Sequence, residues 1–174
     1  TMVIDFFNNQ CQQVSSENIF GLCDDVGKQK PAYIDEKNMA KWITVVENDE
    51  LKEVHFIAID YCIEIWRDDD STKMEKRCDG MLWYDGKNLI FVELKDRNLR
   101  EVSKFIKEAA LQLTTTINHF KKNYNIADYN IKAAYIANRK KIHSSYIARM
   151  RKFQDETGCT LRIENRIKIP YTDF

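Results

Sequence analysis

The chain is expected to fold as an α/β (mixed α+β) domain, a central mixed sheet flanked by helices. Three observations predict it. Leu89-Ile90-Phe91-Val92 is an unbroken apolar run, the pattern of a strand covered on both faces. Asp85-Gly86 separates that run from the apolar Met81-Leu82-Trp83-Tyr84, and this turn signal makes the pair a β-hairpin. Leu99, Val102, Ile106, Ala109, Ala110, Leu113, Ile117, Phe120 and Tyr124 recur at helical spacing and predict a helix over 98–124.

The remaining elements follow in order. The first thirty residues show little periodicity, with Gly21 and Gly27 marking turns. Asp35 reads as an N-cap, and Met39, Trp42, Ile43 and Val46 then share one face of a helix closed by Asn48-Asp49. Residues 54–66 read as one long strand. His55, Ile57, Ile59, Tyr61, Ile63 and Ile65 fall on one face; Phe56, Ala58, Asp60, Cys62, Glu64 and Trp66 fall on the other. Residues 67–76 form a charged loop before the hairpin. After the long helix come a strand over 130–137 and a helix over 144–156 ended by Gly158. A last strand over 160–169 is stopped by Pro170. The order is helix, three strands, helix, strand, helix, strand. At 174 residues the chain suits one domain, with a core at about 35–140 and additions at 1–34 and 141–174.

Composition narrows the function classes. The formal net charge is zero, yet 129–154 holds no acid while carrying Lys132, Arg139, Lys140, Lys141, Arg149, Arg151 and Lys152. Such a block can track a phosphate backbone or serve as a solvated face. Cys11, Cys23, Cys62, Cys78 and Cys159 have neither CxxC pairing nor zinc spacing. An odd, scattered set fits a reducing compartment, so a soluble, cytoplasmic protein without disulfides is expected. No apolar run is long enough to span a membrane, and no secretory leader is visible. Met2, after Thr1, reads as the native start. There is no Gly-rich phosphate loop, Gly-x-Ser-x-Gly elbow or Cys-His catalytic pairing, and His55, His119 and His143 lack metal spacing.

The chemistry concentrates at the hairpin. Asp79 opens its first strand and Glu93-Leu94-Lys95 closes its second. Alternation places Glu93 and Lys95 on one face, with Asp79 beside Glu93 across the hairpin. Charges ending an otherwise apolar strand need partners or a ligand. Two carboxylates suit a hard cation such as Mg²⁺, and the carbonyl of Leu94 could join them. Lys95 is placed to orient a water and to stabilise charge on a phosphate.

An Asp, about a dozen residues, then Glu-x-Lys across a β-hairpin and a following helix resembles the core of the PD-(D/E)XK nuclease superfamily. That group includes restriction endonucleases, Holliday junction resolvases and phage exonucleases. The resemblance spans roughly 35–140 and implies the restriction-endonuclease-like αβββαβ core. It implies that Asp79 and Glu93 bind Mg²⁺ or Mn²⁺ and that Lys95 is the catalytic lysine. The superfamily's signature proline is replaced by Cys78. By the same resemblance, Gln112 on the long helix orients a water or contacts a phosphate, with Thr115, Thr116 and His119 on its side. A further glutamate often joins such sites; Glu36, Glu47 and Glu64 all stay open. Lys104 and Lys107 are weaker candidates for backbone contact. The function implied is a metal-dependent nuclease acting on nucleic acid, DNA foremost, with a homodimer possible. A binding, immunity or regulatory protein that keeps the fold without cutting stays open beside it. So does a nuclease module of a longer protein.

Overall fold

The computed structural model describes residues 3–173; the expected start at Met2 lies outside them. It is a mixed α/β structure with two mixed sheets and, among the described residues, two α-helices. The strands are β1 (Gln12–Ser15), β2 (Ile19–Cys23), β3 (Tyr33–Asp35), β4 (Thr44–Asn48), β5 (Val54–Ala58), β6 (Gly80–Tyr84), β7 (Asn88–Lys95), β8 (Asn130–Asn138), β9 (Leu161–Ile163) and β10 (Arg166–Ile169). The helices are α1 (Val102–Asn123) and α2 (Ile147–Thr157).

The larger sheet runs β1-β5-β6-β7-β8-β9. It is antiparallel from β1 to β7, and parallel from β7 through β8 to β9. The smaller sheet runs β10-β4-β2-β3. Between the two sheets lies one core, with Ile90, Val92 and Leu94 of β7 pointing into it. On the opposite face Leu89 and Phe91 meet α1 through Phe105, Ala109, Leu113 and Phe120. The apolar run is therefore covered on both faces, as its composition predicts. Parity then decides where the polar end of β7 goes. Glu93 and Lys95 follow Leu89 and Phe91 onto the α1 face.

Asp85 and Gly86 both hold positive φ, 53° and 73°, the backbone of a type I′ turn that matches the strand twist. Gly80 starts β6 because nothing larger fits. A Cβ there would lie 2.4 Å from Cζ of Phe56 and 2.7 Å from the Ile57 carbonyl. Gly158 ends α2 with φ of 73° and donates to the Gln154 carbonyl.

Four expectations are corrected. Residues 35–48 are not an α-helix, so no α-helix precedes the strands among the described residues. Asp35 does bond ahead, accepting from the Asn38 amide at 2.7 Å, but it also holds the Trp42 indole N–H at 2.7 Å. The chain makes only a 3₁₀ turn, Met39–Lys41, and then enters β4. Ile43-Thr44-Val45-Val46 is a β-branched run, and pairing with β2 and β10 outweighs the helical spacing. Residues 54–66 are not one strand. β5 stops at Ala58, Tyr61 turns at φ 62°, and Trp66 meets Met74 in an isolated bridge. Residues 160–169 divide into β9 and β10, which belong to different sheets. Finally, Cys11 and Cys62 form a disulfide, and the other three cysteines are free and buried. The argument for a reducing compartment from unpaired cysteines therefore falls away. No helix is long and apolar enough to cross a membrane among the described residues.

Candidate active site

The backbone ladder between β6 and β7 ends at the Gly80–Val92 pair. One step further, side chains take over from backbone. The Asp79 amide donates to Oε1 of Glu93 at 3.0 Å, and the Leu94 amide donates to Oδ2 of Asp79 at 2.7 Å. Each acid thus accepts the amide that the fraying hairpin would otherwise strand, as buried donors require. The N–H and C=O of a strand residue share an edge, so the Leu94 carbonyl faces the same side as its amide.

Lys95 stands over this pair. Its Nζ lies 3.0 Å from Oε2 of Glu93 and 3.4 Å from Oε1 of Gln112. Gln112 is itself fixed, its Nε2 donating to the Arg77 carbonyl at 3.2 Å. Thr116, one turn on, accepts from the Cys78 amide at 2.9 Å and donates to the Gln112 carbonyl at 2.8 Å. Helix α1 therefore grips the segment that leads into Asp79, and the four residues singled out by sequence, Asp79, Glu93, Lys95 and Gln112, line one cleft of about 190 Å³.

The same cleft contains acids that sequence reasoning did not assign to it, Asp24 and Asp60 among them. Asp60 sits in the turn after β5 and pairs with Nη2 of Arg77 at 3.2 Å. Arg77 also donates to the Ile63 carbonyl at 2.7 Å, while its Nε is buried without a partner among the described residues. A signal for Asp60 existed, because it is an acid within an apolar run. Asp24 lies in the aperiodic N-terminal stretch and gave none. The three glutamates held open are elsewhere. Glu36 accepts from the Ser15 hydroxyl, Glu47 pairs with Arg166, and Glu64 is exposed; none lines the cleft.

Of the other candidates, Thr115 lines a neighbouring cleft and His119 is buried against Glu75 at 2.8 Å. Lys104 and Lys107 lie exposed on α1, away from the cleft lining. The basic block does not form one track. Arg139 turns inward to the carbonyls of Ala40 and Trp42 and to Asp96, and Lys152 lies by Glu156.

Electrostatics give the site its character. Burial, followed by the negative charge of Glu93, pushes the Asp79 carboxyl well above the usual carboxylate range. Burial raises Glu93 as well, against the lowering pull of Lys95. Asp24 is raised by burial and then by Asp60, and Asp60 by burial against the pull of Arg77. Carboxylates thus outnumber cations in the cleft, where Asp24, Asp25, Asp60, Asp79, Glu93 and Asp96 face Lys30, Lys95 and Arg97. Such an arrangement favours an added cation. Among the described residues no three His, Cys, Asp or Glu side chains converge closely enough to hold a metal by themselves. The donor set on offer is two carboxylates and a backbone carbonyl, all oxygen. This fits Mg²⁺, which takes few protein ligands and keeps its waters.

Comparison with protein-family models, with curated proteins and with solved structures finds no match for this chain.

Proposed function

We propose that this chain is a metal-dependent nuclease of the PD-(D/E)XK type that hydrolyses phosphodiester bonds, in DNA foremost. The observation that carries the proposal is the convergence of Asp79, Glu93 and Lys95 in one acidic cleft, with Gln112 tethering the lysine. Also in favour are the antiparallel β5-β6-β7 meander and the α1 crossover to a parallel β8, which repeat the strand part of the superfamily core. The first helix of that core has no counterpart among the described residues.

Asp79 and Glu93, with the Leu94 carbonyl, are the residues that would hold Mg²⁺ or Mn²⁺. When bound, the ion supplies Lewis-acid stabilisation of phosphoryl charge and makes a neighbouring water easier to deprotonate. The protein's own contribution is positional. Two directions of the Lys95 ammonium are fixed by Glu93 and Gln112, which leaves its third N–H for the cleft. That donor meets a non-bridging phosphate oxygen and, by fixing the phosphate, keeps the leaving oxygen in line with a water entering from the opposite side. Gln112 holds Lys95 in that direction.

The test is cleavage of single-stranded, duplex and branched DNA by purified protein with Mg²⁺, Mn²⁺ or chelator. Metal-dependent cleavage, abolished in Lys95→Ala with the wild-type circular dichroism spectrum retained, is the expected result. No cleavage of any substrate with either metal refutes the proposal.

One observation favours a second reading, that of a binding or regulatory protein that does not cut. Both oxygens of Glu93 are already engaged, Oε1 by the Asp79 amide and Oε2 by Lys95. Calorimetric titration separates the two readings. Mg²⁺ binding that is lost in Asp79→Ala supports the nuclease, and no binding by wild type supports the alternative.

A further inference from the structure

A second cleft, of about 830 Å³, adjoins the acidic one, and the two share Lys95 and Gln112 as a party wall. It runs between helix α1 and the charged loop before the hairpin. The two chambers differ in sign. The site cleft is lined by Asp24, Asp25, Asp60, Asp79, Glu93 and Asp96 against Lys30, Lys95 and Arg97. In the neighbouring cleft, Arg67 is held by Asp69 at 2.8 and 2.6 Å, and Glu75 by His119 at 2.8 Å. Its charged lining is Arg67, Lys73, Lys76 and the shared Lys95 against Glu75 and Glu108, and of the lysines Lys95 is already paired with Glu93 at 3.0 Å. The Lys76 ammonium has no hydrogen-bond or ion-pair partner among the described residues, and the Lys73 ammonium only a loose one in Asp70 at 3.8 Å. The cleft also has an apolar surface, Met74 and Leu111, the latter 52% exposed in mid-helix.

We infer that this second cleft is the track for an unpaired nucleic-acid strand, whose phosphates meet Lys73 and Lys76 and whose bases rest on Met74 and Leu111. The inference rests on the nuclease proposal for the adjoining site. A polyanion avoids the acidic chamber unless a cation is there, and it settles in the basic one. A strand in the basic chamber therefore brings one phosphate to the wall where Lys95 and Gln112 stand. The apolar floor decides the form of the strand. A duplex keeps its base faces stacked and offers backbone to a surface, whereas an unpaired strand offers base faces that gain by leaving water.

The test is fluorescence anisotropy of a fluorescein-labelled single-stranded oligothymidylate and of its duplex with oligoadenylate. The full chain is used, with Ca²⁺ in place of Mg²⁺, over a series of salt concentrations. Lys73→Glu/Lys76→Glu should weaken single-strand binding at least about tenfold and flatten the slope of log affinity against log salt by about 1.4, two contacts at ~0.7 each. Lys87→Glu, at the hairpin turn and at the opposite end of β7 from the site, should leave both unchanged. Leu111→Ala should erase most of the preference for single strand over duplex.

Wild type that binds neither oligonucleotide, binds duplex as tightly as single strand, or is indifferent to the Lys73/Lys76 reversal overturns the inference. The outcomes of the two proposals are separable. Cleavage with an unchanged KM in the Lys73/Lys76 variant sinks the track and keeps the nuclease. Binding that depends on Lys73 and Lys76 without cleavage in Mg²⁺ keeps the track and sinks the nuclease.

Discussion

Replacing Asp79 by asparagine should make the metal-free protein more stable while removing its activity. The structure gives the reason and the size. Asp79 and Glu93 are both buried; burial and then the Glu93 charge push the Asp79 carboxyl up, and burial raises Glu93 as well. Asparagine is nearly isosteric, so its carbonyl oxygen can still accept from the Leu94 amide, which Asp79 Oδ2 does at 2.7 Å. Its NH₂ can donate to the Glu93 carboxylate, turning a repulsion into a hydrogen bond with a charged acceptor. Such a bond contributes about 1.5–3 kcal/mol. A gain of ~2 kcal/mol corresponds to roughly 4–8 °C in Tm for a domain of this size. The pH dependence has a definite sign. A carboxyl raised in the folded state binds protons more tightly there than in the unfolded chain. Its contribution to stability is therefore present at low pH and is lost as pH rises from the ordinary carboxylate range through the raised folded value. Asparagine does not titrate, so the advantage of Asp79→Asn should grow with pH. The assay is differential scanning calorimetry in chelator at mildly acidic and at alkaline pH, repeated with Mg²⁺. Magnesium should raise the Tm of wild type and leave that of the variant unmoved. A variant that melts below wild type in chelator at both pH values would show that the pair is not electrostatically strained and refute the reasoning.

Three further outcomes are expected. Gly80→Ala drives a methyl to 2.7 Å from the Ile57 carbonyl and should cost ~3 kcal/mol, read as a fall in urea midpoint with unchanged slope; a neutral effect would mean that β5 and β6 can part freely. Gln112→Ala removes one of the two acceptors of Lys95, so kcat should fall about tenfold with KM nearly unchanged and stability reduced by no more than ~1 kcal/mol; an unchanged kcat would strip Gln112 of its positioning role. Cys11→Ala/Cys62→Ala opens a loop with a sequence separation of 51 and should lower stability by about 2–4 kcal/mol. A reductant should lower the Tm of wild type and leave the double variant unaffected; no response of wild type would mean that the bond does not form.

What the sequence disclosed and what it hid divide along the range of the interactions involved. Asp79, Glu93 and Lys95 were legible because a hairpin with an Asp-Gly turn fixes its own register, and parity then carries the charges to one face. Gln112 was singled out only by the resemblance; the helical stripe fixes which side of α1 meets the sheet, and Gln112 lies at the edge of that side. Residues 35–48 were misread for the opposite reason. Asp35 has the capping bond that a helix start predicts, and the β-branched Ile43-Thr44-Val45-Val46 was a local strand signal, but what makes β4 a strand is pairing with β2 and with β10, the latter from the far end of the chain. No local pattern announces a partner so distant. Asp60 was hidden by the assumption of an unbroken strand. Only the left-handed turn at Tyr61 and the pairing with Arg77 deliver it to the cleft. Asp24 reaches the site from the end of β2, a strand of the other sheet, and no periodicity in its own neighbourhood points there.

The reciprocal bonds at the end of the hairpin also determine which substitutions can test the chemistry. Asp79 and Glu93 replace a missing rung of the ladder, each accepting a backbone amide. Alanine at either position removes a carboxylate and abandons a buried amide, a penalty of about 1–3 kcal/mol that has nothing to do with metal or phosphate. Loss of activity in Asp79→Ala therefore mixes two causes. Asp79→Asn keeps the amide bonded and removes only the charge. If asparagine stabilises the fold and alanine destabilises it, while both abolish cleavage, then the hydrogen bond belongs to the fold and the charge belongs to the reaction. If the two variants lose stability alike, the amide bond is not what Asp79 contributes, and the acid must be held by something other than the hairpin's end.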